Sequence, residues 1–335
     1  MVKVAIVGVS GYTGLELLKI LLSHDKFEVV YLGASEDGGS IEDTHPSLKG
    51  ICSLKVQKAD AKEIANKAEL TFLALPHKAS MGFAKELLEL GVKVVDLSAD
   101  YRLELETYEK YYCPHEDKEH IKSAVYGLPE IYHDKLKGAD LVANPGCYPT
   151  ATILGLLPFL EYIDESYPIM IDAKSGVSGA GKKCSDKTHY CSINENLFAY
   201  SPLSHRHEPE IREKFFKVSK KEFDVAFVPH LLPTTRGMLV DSYCLLKSEC
   251  DPLVVLREFY HDKPFVRIFE TPVDIKSSSG TNFCDIFAKR VGKKLFVSSS
   301  IDNLLRGASS QAVVNANLMY GFAEDEGIPK YAYVP

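Results

Sequence analysis

The sequence predicts an α/β chain in two parts, an N-terminal Rossmann-type parallel-sheet domain followed by an α+β mixed-sheet domain. Over roughly the first 145 residues, short apolar runs alternate with helical patterns, as βαβ units and a parallel sheet require. A glycine-rich turn stands directly after the first apolar run, where a dinucleotide-binding sheet carries one. From residue 169 the texture changes, and strand-like runs follow one another with few helices between them. Residues 1–145, completed by the C-terminal helix 304–335, are expected to form the first domain, and residues 146–303 the second.

In chain order, residues 3–7, 28–32, 70–75, 93–97 and 140–143 are short, apolar and rich in Val, Leu and Ala, and read as strands. Residues 14–22 and 79–88 show helical spacing between them. In the second part, residues 169–173, 224–228, 238–246, 266–270, 283–289 and 294–300 read as strands, with Val291-Gly292-Lys293-Lys294 as the turn of a hairpin. Residues 304–322 read as a helix that packs back on the first domain.

The glycine turn is Gly8-Val9-Ser10-Gly11-Tyr12-Thr13-Gly14, spaced G-x-x-G-x-x-G between a strand and a helix. Glycines permit the tight turn and let backbone N–H groups approach a pyrophosphate at the helix N-terminus. The second strand ends at Gly33-Ala34-Ser35. An NAD site usually places Asp or Glu there for the ribose 2′-OH, whereas Ser35 is uncharged and suits a 2′-phosphate, which favours NADP(H). Glu36 and Asp37 follow and would repel that phosphate if they pointed inward.

Asn144-Pro145-Gly146-Cys147-Tyr148-Pro149-Thr150 lies between an apolar strand and an apolar helix. Asn and Gly serve the turn, and Pro149 suits a first helical turn, where its missing N–H costs nothing. A thiol at that helix start faces free N–H groups and the positive end of the dipole, which stabilise thiolate. A thiolate mechanism needs a proton carrier near neutral pH, and Ser204-His205-Arg206-His207-Glu208-Pro209-Glu210-Ile211 supplies two histidines just before a helical run. His207 and Glu210 are three apart, so the carboxylate can share a face with the imidazole and orient it. His207 is the first choice for proton transfer and His205 the second; the sequence does not separate them.

Bulk properties exclude other classes. Hydrophobic residues make up 45%, charged residues 25%, and the formal net charge is −7, with no basic block interleaved with aromatics, which argues against nucleic-acid binding. No stretch approaches the ~18 continuous apolar residues of a membrane span, and the start lacks the pattern of a signal peptide. The eight cysteines show no Cys-x-x-Cys, and His-x-His has no further ligands at a recognisable spacing, so no metal site is expected and free thiols in the cytoplasm are.

Taken together, these motifs resemble the N-acetyl-γ-glutamyl-phosphate reductase family, the arginine-biosynthesis branch of the aspartate-semialdehyde-dehydrogenase-like group. The resemblance covers almost the whole chain. It is carried by residues 8–14, Asp96-Leu97-Ser98-Ala99-Asp100-Tyr101-Arg102, Tyr126-Gly127-Leu128-Pro129-Glu130, residues 144–150, Lys174-Ser175-Gly176-Val177-Ser178-Gly179-Ala180-Gly181, residues 205–211 and Asp302-Asn303-Leu304-Leu305-Arg306-Gly307. It implies a homodimer or homotetramer and a small acyl-phosphate substrate reduced by NADPH through a thioester on Cys147. It also implies cofactor contacts from Gly8, Ser10, Gly11, Tyr12, Thr13, Gly14, Ser35, Pro76, His77 and Asn303, the last holding the nicotinamide amide. Substrate contacts are expected from Arg102, whose guanidinium suits phosphate, and from Ser175, Gly176, Ser178 and Gly179, whose backbone N–H groups are expected to wrap an anion. Two departures stand out: related chains carry a basic residue where Glu36 stands, and glycine where Lys78 follows Pro76-His77. The same chemistry is run by the lysine-pathway relative that reduces an aminoadipyl phosphate one methylene longer, worth only ~1–3 kcal/mol of discrimination. A dinucleotide-sensing regulator without catalysis is the reading from another class; retention of Cys147 and both histidines argues against it.

Overall fold

The computed structural model describes residues 1–334. The chain divides into two compact units, Met1–Gly146 with Ala308–Pro329, and Cys147–Gly307 with the tail from Lys330. The whole of 304–335 was expected with the first domain; only Ala308–Pro329 joins it, while residues 304–307 and the tail from Lys330 belong to the second unit.

Among the described residues the first unit carries seven strands: β1 (Val2–Val7), β2 (Phe27–Ala34), β3 (Val56–Lys58), β4 (Leu70–Leu73), β5 (Lys93–Asp96), β6 (Val125–Tyr126) and β7 (Leu141–Ala143). Their order is β3-β2-β1-β4-β5-β7-β6 and every pairing is parallel. The chain winds outward in opposite directions from β1 and β4, so a crevice opens beyond their C-terminal ends, where open α/β sheets bind ligands. The central strands β1, β4 and β5 are buried on both faces over most of their length, which is why their sequences are mostly apolar rather than alternating. The edge strands β3 and β6 have three and two residues, too few to leave a run, and were not anticipated.

The helices that position the sites are α1 (Tyr12–Leu22), α2 (Ser80–Glu89), α3 (Cys147–Leu156), α4 (Glu208–Ser219) and α5 (Ser309–Met319). Every residue of α5 is buried, and the helix packs on α1 within the first unit. It starts later than the expected residue 304. Asp302 Oδ1 accepts the N–H of Leu304 (2.9 Å) and Leu305 (3.1 Å), which holds the preceding residues in a turn.

The second unit is built on a mixed sheet of seven strands among the described residues: β8 (Ile169–Gly176), β9 (Phe198–Ala199), β10 (Val225–Leu232), β11 (Met238–Leu245), β12 (Val266–Ile268), β13 (Cys284–Val291) and β14 (Lys294–Ile301). The order is β12-β13-β14-β11-β8-β10-β9, with β8/β10 and β12/β13 parallel and the other pairs antiparallel. The expected hairpin is present: Val291 pairs with Lys294, and Gly292 takes φ +59° in the turn. Burial alternates along β10 and β11 with a period of two. One face packs on α3, and the other leaves Met170 and Tyr243 about half exposed.

Candidate functional site

In the first unit the glycine loop meets different demands at each glycine. Gly8 has φ +91°, and a β-carbon there would overlap the Ala74 carbonyl at the end of β4. Gly14 is equally committed, because a β-carbon would run into the backbone of Gly8 and Val9. Gly11 is not: its nearest neighbour would be the Gly8 carbonyl at 3.6 Å, an ordinary contact. The fold itself therefore does not need glycine at 11, while a ligand that lies against the backbone does. No side chain caps α1 at Gly11, so the helix start is open to an anion. His45, which is buried, donates from Nε2 to the Val9 carbonyl (2.8 Å), and Ser309 of α5 donates to the Thr13 carbonyl (2.9 Å). Both brace the loop and neither was anticipated.

Ser35 and Glu36 are exposed just past the end of β2. Asp37, a feared source of repulsion, spends a carboxylate oxygen on the N–H of Lys58 (2.8 Å). Pro76 and His77 follow β4; His77 Nδ1 accepts the N–H of Ala99 (2.9 Å), so a neutral ring carries its proton on Nε2. Lys78 sits at φ +73°, and its N–H is held by both oxygens of buried Asp100 (3.0 Å each). That left-handed backbone is one that glycine adopts without the steric cost a lysine pays. Asp96, fully buried, is pushed up to about 6, first by burial and then by the Asp100 charge, against the hydroxyls of Ser80 and Ser98. Arg102 is 6% exposed and donates to the carbonyls of Asn144 and Leu97 (2.7 Å each). It is first a brace across the strand ends. Asn144 itself is locked, donating to Ala308 (3.1 Å) and accepting from Asn315 of α5 (3.0 Å).

In the second unit Cys147 is the first residue of α3 and half-buried. Its nearest constraint is Gly307: a β-carbon added there would lie 2.7 Å from the β-carbon of Cys147 and 2.5 Å from the Asn303 carbonyl. Tyr148, 2% exposed, organises the neighbourhood. Its ring lies 5.8 Å from that of His205 and 5.9 Å from that of His207, centroid to centroid, and the two imidazoles are 4.8 Å apart. Its hydroxyl donates to the His230 carbonyl (3.1 Å) and accepts from Tyr200 (3.0 Å). Burial raises both phenols well above their usual value, and a charge on Cys147 raises them further.

The histidines differ. His205 is held down to about 4, by burial first and the Arg206 charge second, so it is neutral at pH 7. Its Nδ1 accepts the His207 N–H (3.1 Å), which leaves the proton on Nε2. His207 is the N-cap residue of α4, and Glu210 lies buried in the first turn of that helix. The geometry thus gathers Cys147, His205, His207 and Glu210 into the second unit and adds Tyr148, Tyr200 and Gly307.

The 175–181 loop corrects one expectation. The N–H groups of Gly176, Val177 and Ser178 donate to Gly237 (2.8 Å), Thr234 (2.9 Å) and Thr235 (3.1 Å), and that of Gly181 to Ser178 (3.0 Å). These amides are spent inward and do not wrap an anion; what the loop offers is hydroxyls. Asn303 accepts the N–H of Gly237 (2.8 Å) and donates to the Ser178 hydroxyl (2.9 Å), keeping one amide hydrogen and one lone pair for a ligand. Among the described residues no group of three or more His, Cys, Asp and Glu could hold a metal ion.

Known proteins similar to this chain belong to one group. Residues 3–139 match the family model for the semialdehyde dehydrogenase NAD binding domain, and residues 147–303 that for its dimerisation domain. The chain is 61% identical, over the full length of both proteins, to an N-acetyl-gamma-glutamyl-phosphate reductase of a Sulfurovum species. It is 59% identical to that of Wolinella succinogenes, over 100% of this chain and 99% of the other. Among solved structures, aspartate semialdehyde dehydrogenase II of Vibrio cholerae superposes with a TM-score of 0.73 at 16% identity, covering 95% of this chain and 98% of that one. The Candida albicans aspartate semialdehyde dehydrogenase, solved with NADP, gives 0.71 at 14% identity over the same shares. At such identities these two establish the fold alone.

Proposed function

The chain belongs to the N-acetyl-gamma-glutamyl-phosphate reductase family, and from that premise we propose that it reduces N-acetyl-γ-glutamyl phosphate to N-acetylglutamate 5-semialdehyde and inorganic phosphate, in arginine biosynthesis in the cytoplasm. The observation that carries the mechanism is the gathering of His205 and His207 around the ring of Tyr148, the residue that follows Cys147.

Cys147 at the start of α3 attacks the acyl carbon as thiolate; the S–C bond forms, the C–O bond to phosphate breaks, and phosphate leaves with the electron pair. NADP(H) would be held in the first unit by residues 8–14, Ser35, Pro76 and His77 and would supply the hydride. The open start of α1 and the room beside Gly11 support that fit. His207 gives a proton to the carbonyl oxygen of the reduced adduct and takes it back as the aldehyde forms and the thiolate departs. His205, neutral at pH 7, is suited to donate a hydrogen bond from Nε2. Ser175 and Ser178 offer hydroxyls to the substrate, and the guanidinium of Arg102 is the cation proposed for its phosphate.

We further propose that two copies pair through the open face of the second unit's sheet. There a groove of about 750 Å³ is lined by Tyr167, Met170, Tyr243, Leu245 and Phe296. The dimerisation description of the matching family model supports this.

Replacing Cys147 with Ser tests the mechanism. The variant is expected to lose NADPH oxidation by more than about a thousandfold while NADPH still quenches intrinsic fluorescence at the wild-type concentration. Substantial turnover by it would sink the thioester route.

A further inference from the structure

The tail from Lys330 belongs to the second unit, and one residue of it makes a specific contact. Tyr333 donates its N–H to the Ser279 carbonyl (2.9 Å). Its ring lies flat on Gly280, whose φ is +89° and where a β-carbon would come within 2.7 Å of the ring. On that ring rests the guanidinium of Arg236, 5.4 Å from the centroid. This is cation–π distance, and the planar guanidinium suits a stack.

Arg236 is not an idle surface residue. It pairs with Oδ2 of fully buried Asp302 (3.2 Å), and the same oxygen accepts the N–H of Gly280 (2.7 Å). Tyr333 therefore covers both partners of one carboxylate oxygen. Two further connections lead from Arg236 toward the reactive centre. Its backbone packs against Gly176, where a β-carbon would lie 2.8 Å from the Arg236 Cα, and the 234–237 loop accepts the N–H groups of Gly176, Val177 and Ser178. The residue after Asp302 is Asn303, which ties Gly237 to Ser178. Ser175, which opens the loop, donates its hydroxyl to the Gly176 carbonyl (3.1 Å).

We propose that Tyr333 is a positioning residue for the acyl-phosphate loop at 175–178, acting by clamping Arg236 between its ring and Asp302. The proposal rests on the functional reading above for the role of that loop. The clamp works through the face of the ring, so the phenolic hydroxyl is dispensable. Tyr333 is 58% exposed, so its removal opens no core.

Two variants and two readouts test it. Tyr333→Ala is expected to raise KM for N-acetyl-γ-glutamyl phosphate about three- to tenfold with kcat within about twofold, a stack's worth of binding. In hydrogen-exchange mass spectrometry without substrate, its peptides covering 175–181 and 234–237 should exchange faster than in the wild type. Tyr333→Phe should match the wild type in both readouts. Wild-type KM in the alanine variant, unchanged exchange in those peptides, or equal damage from phenylalanine would each overturn the clamp. Failure of the wild-type protein itself to turn over the acyl phosphate would refute the functional reading, and the exchange measurement would still decide the clamp.

Discussion

The glycine loop of the first unit and the cysteine site of the second both sit at helix starts, yet they are built from opposite materials. The loop is a backbone device. Gly8 and Gly14 are there because the chain passes too close to itself for a β-carbon, whereas Gly11 faces no such constraint from the chain. The cysteine site is a side-chain device: His205 and His207 reach the ring of Tyr148, Tyr200 reaches its hydroxyl, and Gly307 clears the room beside Cys147. Only Tyr148 is a sequence neighbour of the thiol. A backbone device is written locally, and a side-chain device is assembled by the fold.

The largest expected effect tests the side-chain half of this contrast. Gly307→Ala puts a methyl group 2.7 Å from the β-carbon of Cys147 and 2.5 Å from a rigid carbonyl, so the backbone must shift. Overpacking of this kind costs about 1–3 kcal/mol, and a thiol displaced by a fraction of an ångström loses on the order of a hundredfold in kcat. Steady-state kinetics with thermal unfolding would check both. Full kcat in the variant would mean that Gly307 is tolerant packing rather than clearance for the nucleophile.

The backbone half is sharpened by two glycines three residues apart. Gly8→Ala forces an alanine to φ +91° against the Ala74 carbonyl and should lower stability by more than about 2 kcal/mol. Gly11→Ala meets nothing closer than 3.6 Å and should leave Tm unchanged within about a degree, while weakening NADPH binding about tenfold. Wild-type NADPH affinity in the second variant would remove the reason for assigning Gly11 to a ligand.

The same contrast explains what the sequence disclosed. The parallel sheet, the mixed sheet, the glycine turn and Cys147 at its helix start were all readable, because each depends on residues within one turn or one strand. His45 and Ser309 were not, since their bonds to the glycine loop span 36 and 296 positions and a buried histidine or serine has no local signature. Gly307 stood in a recognised motif but without a role, because nothing in the sequence says that it faces Cys147. The anion nest expected at 175–181 loses Gly176, Val177 and Ser178 for a related reason: whether an N–H is free depends on the strand beside it, and here the 234–237 loop takes those three donors.

The smallest effect asks whether a backbone demand can be overridden by a side chain. Lys78 holds a left-handed conformation at φ +73°, and both oxygens of Asp100 fix its N–H. A non-glycine residue there costs about 1–2 kcal/mol, and glycine loses roughly 0.5–1 kcal/mol of that gain to chain entropy. Lys78→Gly keeps the N–H on Asp100, so it should stabilise the protein by about 0.5–1 kcal/mol, read as a Tm one to three degrees higher. A lower Tm would show that the lysine side chain returns more than its backbone loses, and that this turn, unlike the glycine loop before α1, is set by its side chain.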